Sequence, residues 1–524
     1  MHRFAGPLAL VFVVGLVGSG IAGLLLAAGP ASDALPWAYV IRIANFTVGQ
    51  AAASTFLSLA AGAAIALALV RTPVFPGRRF LIAAMNLASV LPAIVAAFGI
   101  LAVYGRSGWI GEGARVFGLD PGAWIYGLPG ILIAHVFFNA PLAARIFLAA
   151  LEAVPGERLR VSAQLGMSAG SLFRFVDRPV LLREAPGIAS LIFLLCFTSF
   201  AIVLTLGGGP AASTLEVAIY EAVRFEADFG RAGLLALIQI ALGIAFVLPF
   251  AAFAVRPAET PAGGLFFTRP KRSPAGKALD VAAIAGAALL VLPPLAATLT
   301  AGLWALPSLV EPAVLRATAT STLVAVPAAI LALLLAVALA AASIRLRAAG
   351  RPFLSALHTV PAIAVLAVPP IALSAGLFVM IRLVGEPFRL AIPLIILVNA
   401  LMALPFVLRQ VEPPLPLAGE RYGRLADSLG IAGVRRIRIV DWPLLKGPAV
   451  VAFMVAAALS FGDLGVAAFF GGGRIETLPL LLSERMGAYR MAEAATVALL
   501  LAAIVLAMFL FAQRFSGIQF ARSR

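Results

Sequence analysis

The chain is built from apolar runs longer than any soluble element needs. A helix takes about 20 apolar residues to cross the hydrocarbon core of a bilayer. Runs of that length recur from residue 7 to residue 513. Of the 524 residues, 62% are hydrophobic and 12% are charged. A soluble domain carries about 25% charged residues, so this chain has too few to give a core of its size a water-facing surface. Lipid must be the solvent, and in lipid a helix satisfies its own N–H and C=O groups. A membrane barrel would alternate apolar and polar residues along each strand, whereas these runs are continuously apolar. The expectation is an all-α polytopic membrane protein.

Twelve spans can be read: 7–29, 47–70, 80–104, 124–150, 186–206, 231–255, 279–303, 315–343, 353–381, 390–410, 447–470 and 491–513. The first stretch, MHRFAGPLALVFVVGLVGSGIAGLLLAAG, starts like a signal peptide. It is long enough to span and many spans follow, so it reads as an uncleaved first helix. Cys196 is the single cysteine and reads as packing. Twelve spans put both termini on one side. The loops and termini of that side hold 28 Lys and Arg, against 11 on the other. Basic residues mark the cytoplasmic face, so both termini are expected there. The net charge of +16 then needs no nucleic acid. One loop of the opposite face carries Glu216, Glu221, Glu226 and Asp228.

A stretch rich in Pro, Gly and basic residues, 256–278, divides the spans six and six. The expected organisation is a first half, 1–255, a cytoplasmic linker, 256–278, and a second half, 279–524. Six is even, so the halves are parallel repeats. Two polar inserts carry the duplication. LGMSAGSLFRFVDRP at 165–179 and LGIAGVRRIRIVDWP at 429–443 match at an offset of 264: Gly166 with Gly430, Arg174 with Arg438, Asp177 with Asp441, Pro179 with Pro443. Arg160 falls on Arg424, and Arg436 lies in the second insert. At the same offset TSFAIVLTLGGGP, 198–210, meets GDLGVAAFFGGGR, 462–474.

In the first insert ERLRVSAQL can make a short helix, with Gly166 as the left-handed residue ending it. A second short helix at about 171–176 would present Leu172, Phe173 and Phe175 beside Arg174, and Pro179 would stop it. Such a helical hairpin could rest on anionic lipid or fill a groove on a partner. Lipid does not require one Gly-to-Pro spacing twice, and docking on two copies of one partner does.

These inserts resemble the cytoplasmic loop of ABC importer permeases, EAA, three residues, Gly, nine residues, Ile, one residue, Leu-Pro. Gly166 to Pro179 and Gly430 to Pro443 have its spacing. The glutamate position holds Arg160 and Arg424, so a salt bridge made by that glutamate does not transfer. Longer stretches, LPAIVAAFGILAVYGRSGWIG at 91–111, AHVFFNAPLAARIFL at 134–148, NALMALPF at 399–406 and LSFGDLGVAAFFG at 459–471, are similar to the fused thiamine importer permeases. Ferric-iron importer permeases share the fused form. The resemblance implies two coupling loops, 151–185 and 411–449. It also implies two copies of a separate ATPase that holds ATP and magnesium, a periplasmic solute-binding protein, and a bacterial inner membrane. The residues implied in ATPase coupling are Arg160, Gly166, Phe173, Arg174, Asp177 and Pro179, with Arg424, Gly430, Arg436, Arg438, Asp441 and Pro443.

No GxxxxGK[ST] loop occurs, and the histidines, His2, His135 and His358, are scattered. Catalysis and a cofactor on this chain are not expected. Charge inside a span is costly, which draws attention to Asp463. It either faces a pathway and attracts a cation, or it is hydrated near the outer end or caps a helix. Its repeat partner is Ser199. His135 and Asn139 share a helix face, and Asn399 is similar in the second half; these line a pathway or hydrogen-bond between helices. A secondary transporter would bury more acids for ion coupling, and a scaffold gives no reason for matched inserts.

Overall fold

The computed structural model describes residues 2–28, 36–120, 124–251, 272–365, 368–415, 422, 425–426, 428–431, 435, 437–471 and 475–515. Among them there is no strand. The first helices are α1 (His2–Ala28), α2 (Trp37–Arg71), α3 (Arg78–Ala88), α4 (Ala93–Tyr104), α5 (Trp109–Val116) and α6 (Leu128–Glu152). Then come α7 (Gly156–Gln164), α8 (Ala169–Leu172), α9 (Arg178–Phe197), α10 (Ala201–Leu206), α11 (Leu215–Arg224) and α12 (Phe229–Ala251). The series continues with α13 (Pro274–Trp304), α14 (Pro312–Ala348), α15 (Pro352–Ala364), α16 (Pro370–Arg382) and α17 (Ala391–Val411). It closes with α18 (Trp442–Phe461), α19 (Gly465–Phe470), α20 (Leu478–Gly487) and α21 (Met491–Phe515). Residues 256–271 of the expected linker lie outside the described residues.

Among the described residues, eleven stretches are long and apolar enough to cross a membrane. The chain is a multi-pass, all-helical membrane protein. The expected span 353–381 is instead the pair α15 and α16, broken before Pro369, the residue that caps α16. The expected span 80–104 breaks the same way, with Pro92 capping α4. Proline has no N–H to give and pushes the preceding residue out of the helical region, so an apolar run reads as continuous where the helix is not. Pro274, Pro312, Pro352 and Pro370 stand at the first position of α13 to α16, where the missing N–H has no intrahelical partner to lose.

Two hydrogen bonds repeat the same solution at distant places. The Leu215 N–H that opens α11 donates to Thr47 Oγ1 on α2 at 3.0 Å. The Leu478 N–H that opens α20 donates to Ser321 Oγ on α14 at 2.9 Å. Each buried helix start thus gains an acceptor from a spanning helix, as a buried N–H requires.

The first helix of each expected half packs across. Helix α1 lies on α12, α14, α15 and α16, and α13 lies on α2, α3, α4 and α21. Small residues permit the closest approach. A side chain on Gly23 would collide with the Gly376 carbonyl, and one on Gly376 with the Gly20 carbonyl. Backbone contact through small residues is how helices associate where lipid removes the hydrophobic drive. Gly376→Leu is therefore expected to destabilise the protein by about 1–3 kcal/mol through overpacking. It should lower the apparent melting temperature in detergent. Gly15→Leu, at an open position on α1, should leave that temperature unchanged.

Candidate functional site

The two inserts share one backbone path. Helix α7 ends at Gly166 with φ of 62°, and Gly430 has the same φ of 62°. The Met167 N–H donates to Ser162 O at 3.0 Å and the Ile431 N–H to Ala426 O at 2.8 Å. This is the six-to-one bond that closes a helix on a left-handed glycine. A Cβ at either glycine would meet nothing within 4 Å. The glycines are required by conformation, since a left-handed residue with a Cβ costs about 1–2 kcal/mol.

Pro179 does not stop the second short helix, as the sequence led us to expect. The chain runs from α8 through a π-turn, Phe173–Asp177, directly into α9. The second insert has its π-turn at Ile437–Asp441 and enters α18 in the same way. The Arg178 N–H reaches back to Phe173 O, one residue further than in an α-helix. Widening the turn takes up the missing proline N–H and the clash of its ring with the preceding turn. The paired spacing from glycine to proline is the spacing of this rigid elbow.

Of the expected coupling residues, Phe173, Arg174 and Pro179 are exposed, and Phe175 is 62% exposed. Leu172, expected on the outside, is buried: as the apolar last residue of α8 it packs inward rather than onto the exposed surface. Asp177 is also buried. Arg438 and Pro443 are exposed and Asp441 is half-buried. Arg160 is exposed in the middle of α7. Arg424 and Arg436 lie outside the described residues. Beside the second elbow an apolar groove of about 340 Å3 is lined by Tyr422, Leu425, Leu429, Ile431, Ile439 and Pro443.

Asp177 joins a network that the sequence did not reveal. Arg71 at the end of α2 donates to Asp177 Oδ2 at 3.4 Å and lies 3.7 Å from Asp280 Oδ1 on α13. Arg272 Nη1 donates to the same Asp280 oxygen at 2.5 Å, and the Arg71 guanidinium sits 5.7 Å from the centre of the Phe173 ring. The first elbow is thus tied to both α2 and α13. The partners are far apart in sequence, so no spacing could have shown the pairing.

The interior polar residues divide into two groups. Ser54 on α2 is 2.9 Å from His135 Nδ1, and Asn139 donates to Cys196 Sγ at 3.3 Å. His135 and Asn139 therefore bridge α2, α6 and α9. Asn399 donates to Ser460 Oγ at 2.8 Å, and Ser460 is the 264-offset partner of Cys196. Ser199 is half-buried just past α9, with its N–H directed at Cys196 O at 3.4 Å. Asp463, between α18 and α19, accepts from the Ala467 N–H at 3.3 Å and the Val466 N–H at 3.5 Å, which makes it the cap of α19.

Near Asp463 lies Glu216, which the sequence had placed among the acids of a loop. Its segment is the helix α11, too short to read as a span, and Glu216 is 0% exposed. Gln239 on α12 faces it and is equally buried. Neither carboxylate oxygen of Glu216 and neither amide atom of Gln239 completes a hydrogen bond of standard geometry. Burial pushes the Glu216 carboxyl up to about 8, Gln239 opposes this, and the Asp463 carboxyl adds to it. Burial also raises Asp463, to about 6, against the N–H groups it caps.

Arg71→Gln leaves Asp177 and Asp280 without their shared cation. Asp280 keeps Arg272, so the loss falls mainly on the ion pair of the buried Asp177, and breaking a buried pair costs up to about 3–5 kcal/mol. The apparent melting temperature in detergent should therefore fall further for Arg71→Gln than for Asp177→Asn, which removes one of two acids competing for the same arginine.

No family model matches the chain. Curated relatives do. It is 41% identical to the thiamine transport system permease protein ThiP of Brucella abortus (strain 2308), over 97% of this chain and 94% of the relative. With the ThiP proteins of Escherichia coli (strain K12) and Haemophilus influenzae (strain ATCC 51907) the identity is 39% and 35%, over 91% and 95% of this chain and 90% and 93% of theirs. Full-length similarity at this level, on an all-helical membrane scaffold, leads to one conclusion: the chain belongs to the family of thiamine transport system permease proteins.

Proposed function

We propose that this chain is the membrane subunit of an ATP-driven importer that moves thiamine or its phosphates inward. The observation that carries the reading is the doubled elbow, a left-handed glycine and a π-turn at matched positions in both inserts. Two copies of one ATPase would each seat on one elbow and hold the ATP and magnesium. A solute-binding protein would deliver cargo to the opposite face. Both termini and both inserts face the cytoplasm in this reading, in keeping with the bias of Lys and Arg. The choice of thiamine rests on the names of the relatives.

The elbows suit the task. ATP shifts an arrangement of helices only through contacts that differ between the two states. Each elbow continues without slack into a spanning helix, α9 or α18. Movement of a seated insert would pass straight into the membrane. The Arg71 network carries the first insert's position to α13 as well.

The reading is tested by uptake of labelled thiamine in cells with and without the chain, with ferric iron as the control cargo. Loss of thiamine uptake alone is expected, and loss of iron uptake alone would overturn the cargo. Gly166→Val with Gly430→Val should cut uptake by about tenfold or more, since each β-branched residue costs about 1–2 kcal/mol in the left-handed region. The level of the chain in the membrane should be retained. Full uptake by that double variant would rule out docking through the elbows.

A further inference from the structure

We propose that Glu216, with Gln239 facing it and Asp463 beside it, is the interior site that receives the positive charge of a cationic cargo. The assignment rests on the thiamine reading, because the thiazolium ring of thiamine carries a permanent positive charge.

The first observation is incomplete bonding. Glu216 and Gln239 are both 0% exposed and face each other, and none of their four side-chain polar atoms completes a hydrogen bond of standard geometry. Buried polar groups are nearly always paired, and each exception calls for an explanation. The groups acting on Glu216 are Gln239 and Asp463, and neither is a cation. Burial without a countercharge favours the neutral carboxylic acid, and an arriving cation would take the place of its proton.

The second observation is position. Glu216 and Tyr220 are one turn apart on one face of α11. The Tyr220 ring packs edge-to-face on Phe200, with centroids 5.2 Å apart. Phe200 Cδ1 lies 3.4 Å from where a Cβ of Gly465 would stand, two residues beyond Asp463. Helices α11 and α12 both pack on α16. The acid of the first half therefore looks across to the second. Phe200 and Tyr220 also offer ring faces of the kind that attract a cationic group.

The third observation is asymmetry on a duplicated scaffold. Leu215 and Leu478 make the same hydrogen bond in the two halves, so Glu216 corresponds to Pro479. Asp463 corresponds to Ser199 at the 264 offset. Each acid occurs once, on opposite sides of one interface.

The test uses the full importer, the chain with its ATPase and binding protein, in proteoliposomes. Uptake of labelled thiamine is compared with uptake of its thiophene analogue, which has the same shape without the charge. Glu216→Gln should lower the thiamine-to-analogue ratio by about tenfold or more, the scale of losing one member of a buried charge pair. Asp463→Asn should lower it less, and Glu216→Asp should keep it. If Glu216→Gln leaves the ratio within about twofold of wild type, the assignment is overturned. That holds whether uptake is intact or both compounds fall together, because a purely structural role would move both equally. A wild-type chain that carries neither compound overturns the thiamine reading and this assignment with it. A wild-type chain that carries thiamine, with an unchanged ratio in the variant, overturns the assignment alone.

Discussion

A backbone in hydrocarbon has no water to turn to, so every N–H and C=O must be paired within the protein. Most of this architecture follows from that constraint. It makes the chain helical, and it makes every interruption of a helix an event that needs a specific remedy. At Pro179 and Pro443 the remedy is a π-turn that shifts the hydrogen-bond ladder by one residue. At the starts of α11 and α20 it is a hydroxyl reaching over from α2 or α14. At Asp463 it is a carboxylate accepting from the first N–H groups of α19. At each of these breaks a polar group or a shifted hydrogen bond stands in for the missing partner.

That explains what could be read from the sequence and what could not. The spans were legible because an apolar run of sufficient length has one physical meaning in lipid. The matched inserts were legible because glycine and proline act on the backbone wherever they stand. The π-turn was not, because a one-residue shift of hydrogen bonding leaves no mark on composition. Around it Leu172 and Asp177 are buried, while Phe173 and Phe175 stay outside as expected. The break before Pro369 was missed for the opposite reason: hydropathy is continuous there although the helix is not. Asp463 was legible as an anomaly, and the structure gives it a cap to make. Glu216 was counted with Glu221, Glu226 and Asp228 because ten residues of helix look like loop beside a span.

The scaffold and its charges obey different rules. Backbone devices occur in pairs: two left-handed glycines, two π-turns, two hydroxyl-capped helix starts and two asparagines bridging to Cys196 and Ser460. Charged clusters tie distant segments to this frame. The Arg71 network grips the first insert and the start of α13. A separate cluster pins buried Arg485 on α20 to Glu311 and Glu493. The paired devices satisfy the backbone, and the charged clusters fasten distant helices to it.

The crossed packing of α1 has a consequence in time. Its partners are α12, α14, α15 and α16, and α12 begins about 200 residues after α1 ends. At about 5–20 residues per second, the ribosome takes roughly 10–40 s to deliver that first partner. Helix α1 therefore waits in the bilayer for its partners, and its glycines meet lipid before they meet Gly376. Assembly must hold one end of the chain open while the other is still being made.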